Sequence, residues 1–381
     1  MHANTRASPS HVTAAPTDVA MWSDSTSHAP EAQIYRLWQA YYKSKRHSLA
    51  EYASAPSELW VPEEQTKWLL YDLAGYYQPS DGIAEIENIE RVSTSPLRYE
   101  ISVYFATHDV GVGSNGKPIP LKFTKLIYSA VEKDGHWLLA SVLPYRAQSW
   151  ETHTIGPITF FVDPKLKFNR MRAERAVAFI DSLATAFGVP KLTHLDYYSA
   201  SSVDAAQELL GVVDGARFGA VGGFDKAVNK QTFSGDPFWG ENYRHELVHN
   251  VLHSLTAQET TLIASEGLAT WLGGTTKMTF VQAVKNFNRF LSRHPTVTID
   301  SALVAKVEQR ERYVTGAVLC EMLFARGGLP ALKQFINSTS GVDDQRETLQ
   351  LIFGKSWEQI NADWRAEVKR IASGKPRSTL G

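Results

Sequence analysis

His245 and His249 stand four residues apart in the segment Tyr243, Arg244, His245, Glu246, Leu247, Val248, His249, which carries a helical period. No other feature restricts the fold as much. On a helix, residues i and i+4 lie one above the other on a single face, so both imidazoles can reach one metal ion at about 2.0 to 2.1 Å. Glu246, one residue on, points to the side, where its carboxylate can touch a metal-bound water without ligating the ion. A surface helix carrying two solvated histidines is the competing reading. It weakens when a third ligand lies where helix geometry allows one.

His253 is not that ligand, because eight residues along a helix is about 12 Å. A helix that breaks and supplies a third His needs Gly at 252 and His at 255, and the chain has Leu at both. Glu266 fits better. It lies in Ala264, Ser265, Glu266, Gly267, Leu268, Ala269, Thr270, 17 residues after His249, on a second helical segment that can run back beside the first. Two His and one Glu leave the fourth position of a tetrahedral zinc open for water, the catalytic rather than the structural arrangement. One Zn2+ per chain is therefore the expected cofactor, since this donor set departs from the all-oxygen shells of calcium and magnesium. Gly267 and Ala269 are small where the two helices must approach.

H-E-x-x-H followed at this range by E-G-L-A-T resembles the gluzincin zinc metallopeptidases (peptidase MA-like), the thermolysin and aminopeptidase N type. Tyr313, Val314, Thr315, Gly316 and the apolar run through Phe324 are similar to the helix of aminopeptidase N-type enzymes whose Tyr faces the zinc. The end of the chain, with Leu351, Phe353, Gly354, Trp357 and Trp364, is similar to the helical tail of such enzymes. The resemblance covers roughly residues 156–371. It implies metal ligands His245, His249 and Glu266, a general base Glu246, and Tyr313 as donor to the oxyanion. His294, between Arg293 and Pro295, is the reserve donor.

Two departures from the pattern matter. No G-x-M-E-N segment, which helps bind the free amine in aminopeptidases, precedes the motif, so an endopeptidase is expected rather than an exopeptidase. Thr270 stands one turn after Glu266, where some relatives have an acid. Its hydroxyl is expected to orient Glu266 by a hydrogen bond, with weaker electrostatic tuning. The stretch from Asp225 to Ser234, just before the motif, is expected to supply an edge strand that pairs with an extended peptide.

Composition closes off other classes. Lys plus Arg (39) and Asp plus Glu (40) leave a net charge of -1 over 381 residues, so no overall field favours nucleic acid or an anionic bilayer. The basic run Lys43, Lys45, Arg46, His47 reads as a solvated helix face. Cys320 is the single cysteine, which excludes an intrachain disulfide and a Cys-based zinc cluster, and its apolar surroundings predict a buried, inert thiol. Gly111 to Lys117 matches a phosphate loop until Pro118 replaces the hydroxyl residue, and a hairpin loop is expected instead. No apolar stretch approaches the length of about 18 residues that suggests a membrane span.

The expected fold class is α+β: a small module of helices and antiparallel sheet, then a gluzincin-type domain with a small sheet followed by mostly helix. Residues 1–30, rich in Ser, Thr, Ala and Pro, read as a disordered leader without the order of a signal peptide, so the cytoplasm is the default compartment, and an extracytoplasmic one follows if the true start lies upstream. Ile34, Leu37, Trp38 and Tyr41 mark one helix face, a second helix is expected around Glu63 to Leu73, and four strands near 83–92, 99–107, 121–131 and 137–143 complete an accessory module over 31–150. That module resembles nuclear transport factor 2-like domains. The metallopeptidase-like domain covers 156–371, and 372–381 form a flexible tail. The expected function is zinc-dependent peptide hydrolysis, with a peptide or protein as substrate, no nucleic acid and no integral membrane segment. The alternative is a zinc-containing binding protein whose accessory module holds a ligand. The natural substrate and the oligomeric state are not legible in the sequence.

Overall fold

The computed structural model describes residues 28–44, 57–64, 82–107, 110–112, 118–120, 123–214, 222–226, 230–255, 260–338 and 341–374. Nearly all of the leader, most of the helix expected from Glu63, the loop 113–117 and the end of the tail fall outside these. The chain forms two compact units: Met1–Arg146 with Glu208–Arg217, and Ala147–Gln207 with Phe218–Gly381.

In the first unit, helix α1 (Pro30–Ser44) accompanies an antiparallel sheet of β1 (Gly82–Thr94), β2 (Leu97–Thr107), β3 (Phe123–Lys133) and β4 (His136–Ala140). A short strand, Val212–Asp214, returns from later in the chain to pair with β3. The four expected strands are all present. The last stops at Ala140 because Leu143–Arg146 turns helical. Trp38 and Tyr41 of the apolar helix face are buried, Trp38 stacked on Tyr42 at 5.0 Å and Tyr41 edge-on to Trp60 at 5.7 Å. Val110–Val112 pairs antiparallel with Pro118–Pro120, the two arms of a hairpin around the Gly-rich loop.

The second unit contains a five-stranded sheet built from β5 (Glu151–Ile155), β6 (Ile158–Val162), β7 (Leu195–Ser199), β8 (Gly223–Lys226) and β9 (Gln231–Ser234), in the order β8-β9-β7-β6-β5. The three central strands are parallel, and each edge strand is antiparallel to its neighbour. Helix α2 (Arg170–Phe187) makes the crossover from β6 to β7 that parallel pairing requires. Asn169 caps its start by accepting from the Arg172 N–H, and Gly188 ends it in the left-handed conformation. Six helices of eight residues or more follow: α3 (Arg244–Leu252), α4 (Leu262–Gly273), α5 (Phe280–Arg293), α6 (Gln309–Ile336), α7 (Val342–Phe353) and α8 (Trp357–Ala372). Helix α6 breaks at Gly327 and Gly328, whose backbone angles are not helical, so it is two helices end to end.

One continuous core joins this sheet to the helices, including Phe160, Tyr197, Leu247, Leu268, Leu319 and Trp364. Cys320 is buried within it, and desolvation pushes its thiol pKa far up, which keeps it protonated and inert. Two polar links seat the motif helix on the sheet. The Tyr197 hydroxyl donates to the Gly240 carbonyl at 2.6 Å and accepts from the Tyr243 N–H at 3.0 Å, and Asn250 Nδ2 donates to Thr232 Oγ1 at 2.9 Å.

Candidate metal centre

Helix α3 is nine residues long, and from His245 to Leu252 every residue is buried. A helix this short is marginal alone, so its position depends on what packs around it. Helix α4 lies against it and begins at Thr261, whose side chain accepts from the Ala264 N–H at 3.2 Å. Where α4 ends, a Cβ on Gly273 would collide with the His245 backbone, so only glycine allows this approach.

These two helices bring His245, His249 and Glu266 together. His245 Nε2 lies 3.0 Å from Glu266 Oε2, and His249 Nε2 lies 3.7 Å from Glu266 Oε1. Donor atoms around a tetrahedral zinc are about 3.3 Å apart, which these separations bracket. The other ring nitrogens fit the same purpose. His245 Nδ1 donates to the Gly274 carbonyl at 2.8 Å, and His249 Nδ1 sits 3.3 Å from Ser265 Oγ. His245 is thus flanked by two acceptors, a carbonyl and a carboxylate, and a neutral imidazole has one proton for them. With Nδ1–H donated to Gly274, Nε2 faces Glu266, where a protonated ring donates to the carboxylate and a neutral one offers its lone pair as a metal ligand.

The electrostatics agree. Burial alone would lower both imidazoles, yet the Glu266 carboxylate raises the pKa of His245 and lifts His249 to about 10. Burial would raise Glu266, but the two histidines hold its pKa far below the usual carboxylate range. The three groups stabilise one another as an ion-paired cluster of two imidazoles and a carboxylate. Glu246 behaves differently: burial pushes its pKa up to about 7, partly opposed by the two histidines, and a carboxyl titrating there can both accept and return a proton.

Tyr313 arrives on α6. Its ring lies over His245 with centroids 6.2 Å apart, and Gln309 Nε2 donates to its hydroxyl at 2.6 Å. Burial and the nearby Glu266 raise its pKa, so the hydroxyl keeps its proton to donate. Gly316 makes this possible. A Cβ there would meet the Gly267 Cα at 2.9 Å and the Ile263 carbonyl closer still, so the Y-x-x-G spacing sets how near α6 comes to the Glu266 helix.

Other expected residues sit elsewhere. His294 ends α5, exposed, with Nδ1 3.0 Å from the Phe290 carbonyl and its ring stacked on Phe290 at 4.2 Å. Thr270 does not orient Glu266: its hydroxyl is buried and makes no hydrogen bond among the described residues, because it faces the core one turn beyond Glu266. His253 is exposed at the end of α3. The expected edge strand divides in two, and only β8 (Gly223–Lys226) lies at the edge.

Asp225, expected only as the start of an edge strand, has a side chain at the site. On β8, its carboxylate joins Glu246 and His249 in a group whose ligand atoms all lie within 4.8 Å of one another, and it raises the pKa of both. Nothing in the local pattern marks it, since it is one acid in a Gly-rich stretch 21 residues before Glu246. No family model matches the chain, and no curated protein matches it.

Proposed function

We propose that the second unit is a zinc-dependent peptidase, with His245, His249 and Glu266 as ligands and Glu246 as general base. The observation that carries this is the convergence of two imidazoles and a carboxylate, in a group that could hold a metal ion, with Glu246 beside it. The likeness of the motif to gluzincin metallopeptidases supports the same reading. Zinc bound by these three residues supplies a water whose pKa falls toward about 7 and a Lewis acid for the peptide carbonyl.

The remaining chemistry belongs to the protein's own groups. A Glu246 carboxylate oxygen takes a proton from the attacking water and later delivers it to the leaving amine nitrogen. The Tyr313 hydroxyl donates to the carbonyl oxygen as negative charge develops there. Strand β8, last in the sheet order among the described residues, would add an extended peptide by backbone pairing and hold it beside Glu246. A structural zinc site has no use for a base at this place.

The test is metal content together with hydrolysis of a mixed peptide library. Glu246→Gln should retain zinc and fold while losing nearly all cleavage, because Gln keeps the shape and cannot accept the proton. Equal cleavage by wild type and Glu246→Gln sinks the mechanism. Bound zinc with no cleavage by either leaves the zinc-containing binding protein as the reading.

Asp225 favours a second reading of the substrate. A carboxylate on the edge strand beside Glu246 attracts a cationic group close to the scissile bond, and the free amine of a chain end is such a group. Comparing free with N-acetylated peptides decides it: a preference for free amines that disappears in Asp225→Asn makes the enzyme an exopeptidase, and equal rates keep it an endopeptidase.

A further inference from the structure

Helices α5 and α6 enclose a second pocket, of about 320 Å³, lined by Asn286, Arg289, Phe290, Arg293, Arg310 and Glu311 among others. Asn286, Arg289, Phe290 and Arg293 follow the i, i+3, i+4, i+7 spacing of one helix face, and Arg310 and Glu311 come from the first turn of α6. None of the three guanidinium groups pairs with a carboxylate among the described residues. Arg289 donates to Asn286 Oδ1, Arg293 Nε to the Arg289 carbonyl at 3.4 Å, and Arg310 reaches only Met278 Sδ at 3.5 Å. Each therefore holds most of its donors in reserve. In a chain of net charge -1, three unpaired arginines around one concavity with one acid in its wall are a local excess that points to an anionic ligand.

The pocket adjoins the metal centre through two short links. Arg310 precedes Tyr313 by one helical turn. Met278, which Arg310 touches, closes a turn with Thr275, directly after the Gly274 carbonyl that orients His245. An extended peptide advances about 3.3 Å per residue, so a residue a few positions from the scissile bond can reach this wall.

The geometry points to a subsite for an acidic side chain of the peptide, so that the substrates of the proposed peptidase are peptides carrying Asp or Glu near the cleaved bond. This rests on the reading under Proposed function. A free phosphate shares the chemistry, but it carries between one and two negative charges at neutral pH, and the Glu311 carboxylate in the wall opposes it more than a monoanionic side chain.

The experiment uses the full-length chain as its Glu246→Gln variant, loaded with zinc, so that binding is read without cleavage. A fluorescein-labelled octapeptide with three Glu residues is compared by anisotropy with the same peptide carrying Gln at those positions. The acidic peptide should bind about tenfold tighter, as charge-assisted bidentate contacts imply. That advantage should vanish in Arg289→Gln/Arg293→Gln and in Arg310→Gln alone, and survive Lys285→Gln, which removes an exposed charge from the same helix outside the pocket. Equal affinity for the two peptides, an advantage that survives both arginine variants, or an equal loss in Lys285→Gln overturns the proposal. So does displacement by inorganic phosphate at concentrations where acetate has no effect. The two readings fail separately: a wild-type protein that cleaves no peptide removes the peptidase and leaves the anisotropy result standing, whereas cleavage without an arginine-dependent preference removes only the subsite.

Discussion

His245 shows most directly how little freedom the centre has. Its Nδ1–H donates to the Gly274 carbonyl and its Nε2 faces Glu266, so the ring has one orientation, and as the proposed ligand it would bind through Nε2. The H-E-x-x-H pattern made His245, His249 and Glu246 legible because a helix has a single pitch, and the spacing on one face follows from it. Glu266 was legible only by elimination and resemblance, since nothing local says that two helices will lie side by side. Tyr313 is where the residue scale can be tested most sharply. Tyr313→Phe removes one hydroxyl and leaves the ring against His245, so kcat should fall by roughly 10² to 10³ while zinc content and melting temperature hold. Steady-state kinetics beside a metal assay reads both, and an unchanged kcat takes Tyr313 out of the chemistry. Asp225 and Gln309 carried no signal in the sequence: one acid and one amide acquire meaning only from what folds beside them.

At the scale of elements, periodicity located most helices and strands to within a few residues. Strand β5 (Glu151–Ile155) escaped it because Glu-Thr-His-Thr offers no apolar alternation, as befits an edge strand with one face exposed. The approach of α4 and α6 decides the site, and it runs through two glycines that a periodicity argument treats as blanks. A Cβ on Gly267 would sit 2.5 Å from the Gly316 carbonyl carbon, too close for any side chain. Gly316→Ala should therefore force the helices apart, costing about 1 to 3 kcal/mol and weakening zinc retention together with activity. Thermal denaturation and metal analysis test this, and a variant that melts and holds zinc like wild type shows that the contact yields without consequence. Residue spacing created the motif, but the absence of side chains at 267, 273 and 316 lets its parts meet.

Over the whole molecule, the α+β class holds, with a sheet-based first unit and a second unit of sheet then helices. Among the described residues no helix is long and apolar enough to cross a membrane. Because the proposed ligands all belong to the second unit, zinc should stabilise that unit alone: at a hundredfold excess over its Kd, by about 2.7 kcal/mol. Calorimetry of a two-unit chain should then show one transition that rises with zinc and falls with a chelator, and one that ignores both. His249→Ala should abolish the shift, and zinc-independent melting of the wild type argues against a metal at this place. What the sequence determined by itself is everything set by regular geometry and composition: the period of the helices and strands, the face on which His245 and His249 stand, the burial of Cys320, the net charge of -1. Only the tertiary structure decided how far Glu266 lies from those imidazoles, that Thr270 turns away, that His294 lies at the end of α5, that Asp225 stands by Glu246 and His249, and that three arginines line one pocket. The reason is physical. Local spacing follows from backbone dihedrals shared by every helix, whereas contacts between elements depend on how particular side chains, and the glycines that lack them, fill the space between.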